Sequence, residues 1–248
     1  MQAYGLTHVG RVRNHNQDYL YSSSDPVGSF GNLFLVADGM GGHQAGDYAS
    51  RFAVEHLVSY LKQHGQGNIV PELRQGILTV NAELYKRSME ESFLRGMGTT
   101  LVAASIEDNT LYVANIGDSR LYLYREHSMV QITKDHSFVE EMVARGQMNR
   151  NSHDYFEKKN IITRAVGTDS RVTADFFEEV LQPEDMILMC SDGLSNMVSE
   201  RDMERCLSQN ISLQQKTEQL VDMANEHGGK DNITALLVDP QISEVTPC

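Results

Sequence analysis

The sequence predicts an α+β fold in which helix pairs pack on antiparallel sheets. Three observations carry this reading. Strand-like and helix-like segments come in runs instead of strict alternation, two amphipathic helices follow one another directly, and Asp108-Asn109 separates two short apolar segments as a hairpin turn would. Pro, Gly and Ser never cluster into a linker across the 248 residues, so one domain is expected over residues 1–240, with a tail at 241–248. A domain of this size can bury roughly three quarters of its unfolded surface.

The elements follow from the periodicity of the apolar residues. Ala45, Ala49, Phe52, Ala53, Leu57, Tyr60 and Leu61 recur at helical spacing, and Leu73, Ile77, Val80 and Leu84 repeat the pattern, which predicts two helices between residues 44 and 92. Strands are expected at Leu33 to Ala37, Thr100 to Ile106, Leu111 to Ile116, Arg120 to Tyr124, Val172 to Leu181, Met186 to Cys190 and Ile233 to Val238. Each is short, apolar or β-branched, and bounded by Gly, Asp or Asn. Leu213, Leu220, Val221 and Ala224 mark a third helix before the last strand. Between Thr133 and Asp169 the pattern weakens to one helix at Phe138 to Ala144, and this stretch reads as a surface flap.

Subtracting 34 acidic from 21 basic side chains gives a net charge of −13, which repels phosphate polymers and anionic headgroups. Neither nucleic acid nor a membrane surface is an expected partner. The longest apolar runs, Leu33 to Ala37 and Met186 to Cys190, fall far short of the ~20 residues that span a bilayer. Met1 to Asn14 lacks a signal-peptide core, so a cytoplasmic location is expected. Cys190, Cys206 and Cys248 are too widely spaced for a disulfide framework or a zinc cluster.

The chemistry is carried by an echo. Leu33-Phe-Leu-Val-Ala-Asp38-Gly39 and Met186-Ile-Leu-Met-Cys-Ser-Asp192-Gly193 both end an apolar strand in an acid and a glycine, and Asp118 and Asp231 stand at comparable junctions. A single Asp-Gly is most simply a turn. Four acids at strand rims are another matter, because carboxylates ~5 Å apart at an effective dielectric of ~20 repel by roughly 3 kcal/mol per pair. Cations must offset that, and all-oxygen ligands favour Mg²⁺ or Mn²⁺ over zinc.

Arg13-Asn-His-Asn-Gln17-Asp18, Val36-Ala-Asp38-Gly39-Met-Gly-Gly-His43, Gly98-Thr-Thr100, Gly117-Asp118-Ser-Arg120, Ser191-Asp192-Gly193 and Asp231-Asn232 occur in this order across residues 7–238. The series resembles that of the metal-dependent protein serine/threonine phosphatases, type 2C, in their bacterial branch. The resemblance implies a sandwich of two antiparallel sheets flanked by helix pairs, in four α-β-β-α layers, with two Mn²⁺ or Mg²⁺ ions at one end. It implies Asp38 as a ligand bridging both ions, the Gly39 carbonyl on one, Asp192 and Asp231 on the other, and Asp118 with Asp192 on a third, weaker ion. It makes Asp18 an acid that orients water, Arg13 the phosphate-binding side chain, and His43 the general acid for the leaving alkoxide. A guanidinium fork suits phosphate oxygens and an imidazolium suits proton delivery near pH 7. The implied reaction is hydrolysis of phosphoserine and phosphothreonine by a metal-bridged hydroxide, and the implied partners are phosphoproteins, including a Ser/Thr kinase and its substrates. A monomer is expected.

Other readings fit less well. The turn Asp38-Gly-Met-Gly-Gly-His-Gln-Ala-Gly46 opens a helix, but a dinucleotide fingerprint would need its third glycine where Gln44 stands, and no Gly-Lys-Ser/Thr follows. His153-Asp154 reads as flap surface. A phosphoprotein-binding module without catalysis would be expected to lack a metal acid, and none is missing. A small-molecule phosphatase is compatible with the same motifs. Gln17 stands where many eukaryotic members carry an acid, and Gly146 to Asn160 matches no motif.

Overall fold

The computed structural model describes residues 1–42, 45–64 and 67–242. Its strands are β1 (Gln2–His8), β2 (Asp18–Ser23), β3 (Leu33–Met40), β4 (Gly98–Thr99), β5 (Leu101–Glu107), β6 (Thr110–Ile116), β7 (Arg120–Arg125), β8 (Ser128–Gln131), β9 (Asp175–Val180), β10 (Met186–Cys190) and β11 (Ile233–Asp239). The α-helices are α1 (Ala45–His64), α2 (Ile69–Glu90), α3 (Phe138–Ala144), α4 (His153–Lys158), α5 (Asp192–Ser195), α6 (Glu200–Leu207) and α7 (Leu213–Glu226). One sheet has the order β1-β11-β10-β7-β8. The other has β2-β3-β5-β6-β9, with β4 also pairing β3, and every pairing is antiparallel.

The layering follows from residues on both faces of the central strands being apolar. In β3, Leu33, Leu35 and Ala37 pack under α1 and α2, while Phe34 and Val36 enter the space between the sheets. In β10 and β11, Leu188, Cys190, Ala235 and Leu237 face α6 and α7, and Ile187, Met189, Leu236 and Val238 face the other sheet. A strand buried on both faces reads as an unbroken apolar run, because successive side chains point to opposite sides. That is why Leu33 to Ala37 and Met186 to Cys190 were the longest such runs in the chain. Among the described residues no helix is long and apolar enough to cross a membrane.

The helices and strands expected from the sequence are present, with one trimmed: the segment from Val172 is irregular, and β9 begins at Asp175. The Asp108-Asn109 turn joins β5 to β6, with φ values of 48° and 60° that suit a primed hairpin turn. Sequence patterning overlooked β1, β2, β4, β8, α4, α5 and α6. Glu126-His127 turns β7 into β8 with the same positive φ values, 49° and 64°, without the Asn-Gly signature that advertises such a turn. The 133–169 stretch holds α3 and α4. Its excursion begins and ends at an antiparallel bridge between Ser137 and Ile162, where Phe138 N–H donates to the Ile161 carbonyl and Thr163 N–H to that of His136.

Burial separates side chains that hold the layers from those that do not. Phe34 is enclosed between the sheets, whereas Phe93 is 72% exposed. Phe34→Ala is expected to lower the unfolding free energy by about 3–5 kcal/mol, and Phe93→Ser to change it by less than about 0.5 kcal/mol, as read from urea denaturation midpoints.

Candidate metal centre at the rim of the sandwich

The two sheets meet at one end through Asp18, the first residue of β2. Its Oδ2 accepts hydrogen bonds from the Ser191 and Thr234 hydroxyls, both at 2.7 Å, which reach it from the far sheet. Asp38 lies directly opposite Asp18 in the β2–β3 ladder. Its backbone is fixed by the Gly98-Thr99-Thr100 stretch: Asp38 N–H donates to Thr100 Oγ1 at 2.8 Å, and its carbonyl accepts from Thr100 N–H and the Thr99 hydroxyl, both at 2.9 Å.

Asp192 begins α5, directly beyond β10. Asn196, one helical turn on, donates Nδ2 to Asp192 Oδ2 at 3.0 Å. Asp118 occupies the turn between β6 and β7, with its neighbour Ser119 hydrogen-bonded to Thr100 Oγ1 at 2.7 Å. Asp231 precedes β11 and is the most solvent-facing of the five. Its Oδ2 pairs with Arg13 Nη2 at 2.8 Å and its Oδ1 accepts from Asn232 N–H. The Asn232 side chain stitches the Arg13 loop to this corner, donating to the carbonyls of Val9 and His15 and accepting from Gln17 N–H, all at 2.9 Å.

Neither glycine of the two Asp-Gly pairs adopts positive φ. Both are there for close approach. A Cβ on Gly39 would strike the Gly46 carbonyl of α1, and one on Gly193 would strike the carbonyl of Asn232. The second constraint presses α5 onto the Asp231-Asn232 corner and so brings Asp192 to Asp231. The turn expected of an isolated Asp-Gly is thus not what these glycines provide.

Electrostatics register the convergence. Burial first, then repulsion from Asp192 and Asp231, raises the Asp18 carboxyl to about 7, against the pull of its two hydroxyl partners. Asp38 is held well above the carboxylate range by burial and by Asp18, Asp192, Asp118 and Asp231 together. Burial followed by Asp192 and Asp135 raises Asp118 to about 7, and burial with Asp231 raises Asp192 to about 6. Asp18 Oδ1 and Asp192 Oδ1 are buried without a hydrogen-bond partner. Unpartnered buried carboxylate oxygens among mutually repelling acids are the donor set of a hard divalent cation.

A cavity of about 120 Å³ opens beside Asp118 and Asp192, lined also by Lys159 and Asn196. A larger one, about 710 Å³, shares Arg120, Asp135 and Tyr155 with it but touches none of the five acids. The structure therefore brings Asp18, Asp38, Gly39, Asp118, Asp192, Asp231 and Arg13 to one end of the sandwich. His43 lies outside the described residues. His153 and Asp154 are exposed on α4, as surface residues of the flap were expected to be, and ion-pair with Glu157 and Lys158. Sequence reading missed Asn196 and Lys159. For Asn196 the one available signal was its i+4 spacing from Asp192.

Comparison with known proteins gives the same picture. The protein phosphatase 2C family model matches residues 5–237. The serine/threonine phosphatase stp of Listeria monocytogenes is 40% identical over 98% of both chains. Among solved structures, the Streptococcus agalactiae serine/threonine phosphatase superposes with a TM-score of 0.88 at 34% identity, covering 95% of this chain and 98% of that one. The catalytic domain of the serine threonine protein phosphatase PstP, a complex with two manganese ions, superposes with a TM-score of 0.82 at 31% identity over 95% and 96% of the two chains. The sandwich, its rim of acids and these matches together make the chain a member of the protein phosphatase 2C family.

Proposed function

We propose that this chain hydrolyses phosphoserine and phosphothreonine in proteins at a two-ion centre of Mn²⁺ or Mg²⁺ built on Asp38. The observation that carries the reading is the gathering of Asp18, Asp38, Asp118 and Asp192 around two unpartnered buried carboxylate oxygens. In this reading Asp38, the Gly39 carbonyl, Asp192 and Asp231 would hold the two ions, and Asp118 with Asp192 would hold a third, weaker one. Two such ions would supply activated water near neutral pH and offset charge on the phosphoryl oxygens.

The side chains of the protein do the rest. Arg13 is half exposed and anchored by its loop, so its guanidinium can pass from Asp231 to two non-reacting phosphate oxygens in a bidentate clasp. Asp18, locked by Ser191 and Thr234, presents a single free oxygen, Oδ1, to orient water. His43 is assigned the proton for the departing alkoxide on the strength of its motif alone. Residues 133–169 act as a flap over the entrance. Cys190 and Cys206 are free and buried, which suits a reducing, cytoplasmic setting where a Ser/Thr kinase supplies the substrates. The chain is read as a monomer.

Phosphate release from phosphothreonine peptides in Mn²⁺ tests the reading. It is expected to exceed release from nucleotides or sugar phosphates, and Asp192→Ala should lower turnover by at least about 10³-fold, the loss of several kcal/mol of transition-state stabilisation, with an unchanged circular dichroism spectrum. Peptide binding without turnover at any Mn²⁺ concentration would place the chain among binding modules instead. Arg13→Lys keeps the charge but loses the fork, and kcat/KM is expected to fall about 10- to 100-fold, a loss of about 1.4–2.8 kcal/mol.

Stability should report the acids independently of turnover. Carboxyls held above their unfolded values stabilise the fold fully below pH ~4 and lose that contribution as pH rises through the folded values of about 6 to 7. Chelator-treated protein is therefore expected to melt several degrees lower at pH 8 than at pH 5. Added Mn²⁺ should restore the loss at pH 8. A melting temperature flat across this range would show that the acids do not share one buried site.

A further inference from the structure

The flap carries a cation into the candidate centre. Lys159, at the C-terminal end of α4, donates Nζ to Asn196 Oδ1 at 2.6 Å, and the same amide donates Nδ2 to Asp192 Oδ2 at 3.0 Å. The lysine is half-buried and lines the 120 Å³ cavity together with Asp118 and Asp192. Arg120 and Asp135 face the same space, but Arg120 is committed: its Nε and Nη2 clasp Asp135 at 2.7–3.1 Å and its Nη1 donates to the Tyr122 hydroxyl. Lys159 makes no ion pair among the described residues, its ammonium donating instead to the Asn196 amide. It is the positive charge of the cavity not already taken up by a direct carboxylate partner, and it sits on the excursion that hinges at the Ser137–Ile162 bridge.

We propose that Lys159 is a tethered counter-cation for Asp192, competing with the weaker divalent ion so that ion binding and the docked position of the flap oppose one another. The inference rests on the metal-centre reading above and adds a regulatory residue to it. An ammonium one amide away from Asp192 partly satisfies that carboxylate when the flap is down. A divalent ion arriving at Asp118 and Asp192 meets like charge, and Coulomb repulsion at this range in a partly buried site is not screened away. Binding of the ion removes the attraction that holds Lys159 in place, and the strap between Phe138 and Ile161 is released. Asn196 is the positioning residue common to both states. Its backbone is held from the α5 side, where its own N–H donates to the Asp192 carbonyl at 2.8 Å, while its side chain also meets the flap at Asn160 Oδ1, at 3.4 Å.

Titration of Mn²⁺ alone into the full chain, with bound ion counted by electron paramagnetic resonance and flap opening followed by amide hydrogen exchange over residues 138–161, tests this without any substrate. Lys159→Met, which keeps the length of the side chain and loses its charge, is expected to tighten the weakest Mn²⁺ by at least about threefold. Its flap amides should exchange fast with or without the ion. In the unaltered chain they should exchange faster once that ion is bound, and Lys159→Arg should behave like the unaltered chain in both measurements. Weakened or unchanged Mn²⁺ binding in Lys159→Met, or flap amides that slow on ion binding in the unaltered chain, would overturn the proposal while leaving the metal centre standing. A chain that takes up no Mn²⁺ at all would remove the metal centre and this inference together.

Discussion

Asp18 ties the two sheets to one another through a carboxylate that is itself costly to bury. Ser191 and Thr234 reach its Oδ2 from the opposite sheet, and Thr234 N–H in turn donates to Ser191 Oγ at 3.0 Å. These bonds satisfy one oxygen and leave the other bare, with Asp38 across the ladder, and Asp192 and Asp231 close enough to add their repulsion. A fold worth about 5–15 kcal/mol carries several such acids only if their charge is answered. The reach of Arg13 and Lys159 toward this end answers that charge, while the glycines beside two of the acids let the backbone approach closely enough to gather them.

The layered core makes the response possible. Because β3 and β10 are apolar on both faces, each is held from above and below, and the polar residues at their ends inherit that rigidity. Asp38 does not need its own side-chain partners to be placed, since Thr99 and Thr100 fix its backbone. Asp192 is placed by β10 behind it, Asn196 beside it and the forced approach of Gly193 to Asn232. A site supported in this way by rigid strands tolerates surrounding loops of differing sequence, which fits the stretch 146–160, without a matching motif, on a frame that superposes closely on a solved relative.

The frame and the acids were legible in the sequence for the same reason. An apolar run that ends in Asp-Gly, directly or after Ser191, is a strand buried on both faces, and it was the recurrence of acids at four strand rims, not one Asp-Gly by itself, that pointed to Asp38 and Asp192. What escaped were elements whose character is decided by neighbours. β1 and β2 mix polar and apolar residues because each is half exposed, and α6 buries only Met203, Cys206 and Leu207 of its eight residues. The Glu126-His127 turn lacks the Asn-Gly or Asp-Gly pair that marks a primed turn, leaving only the weaker preference of His127 for positive φ. The reason for Gly39 and Gly193 escaped as well: a glycine demanded by the approach of a distant carbonyl looks, in sequence, like a glycine demanded by a turn. Lys159 was hidden most deeply, since a lysine in a polar stretch without a motif is ordinarily a solvated side chain, and only the fold brings it to Asn196.

Stability and chemistry therefore pull in opposite directions at this rim. Replacing Asp38 or Asp192 with a neutral residue of similar size would relieve repulsion that burial amplifies, so in the absence of a cation the altered chain has reason to be the more stable one. With a cation present the order reverses, because ion binding to the folded state adds its own free energy to folding. The buried acids are consequently intelligible only together with what neutralises them. Lys159 fits the same logic as a charge that the chain itself supplies, weaker than a divalent ion and removable with the flap. A protein that must accept an anionic phosphate among its own carboxylates needs positive charge that can be exchanged, and among the described residues the Arg13 pair with Asp231 and the Lys159 link to Asn196 are places where such charge is held by no more than a partly exposed contact.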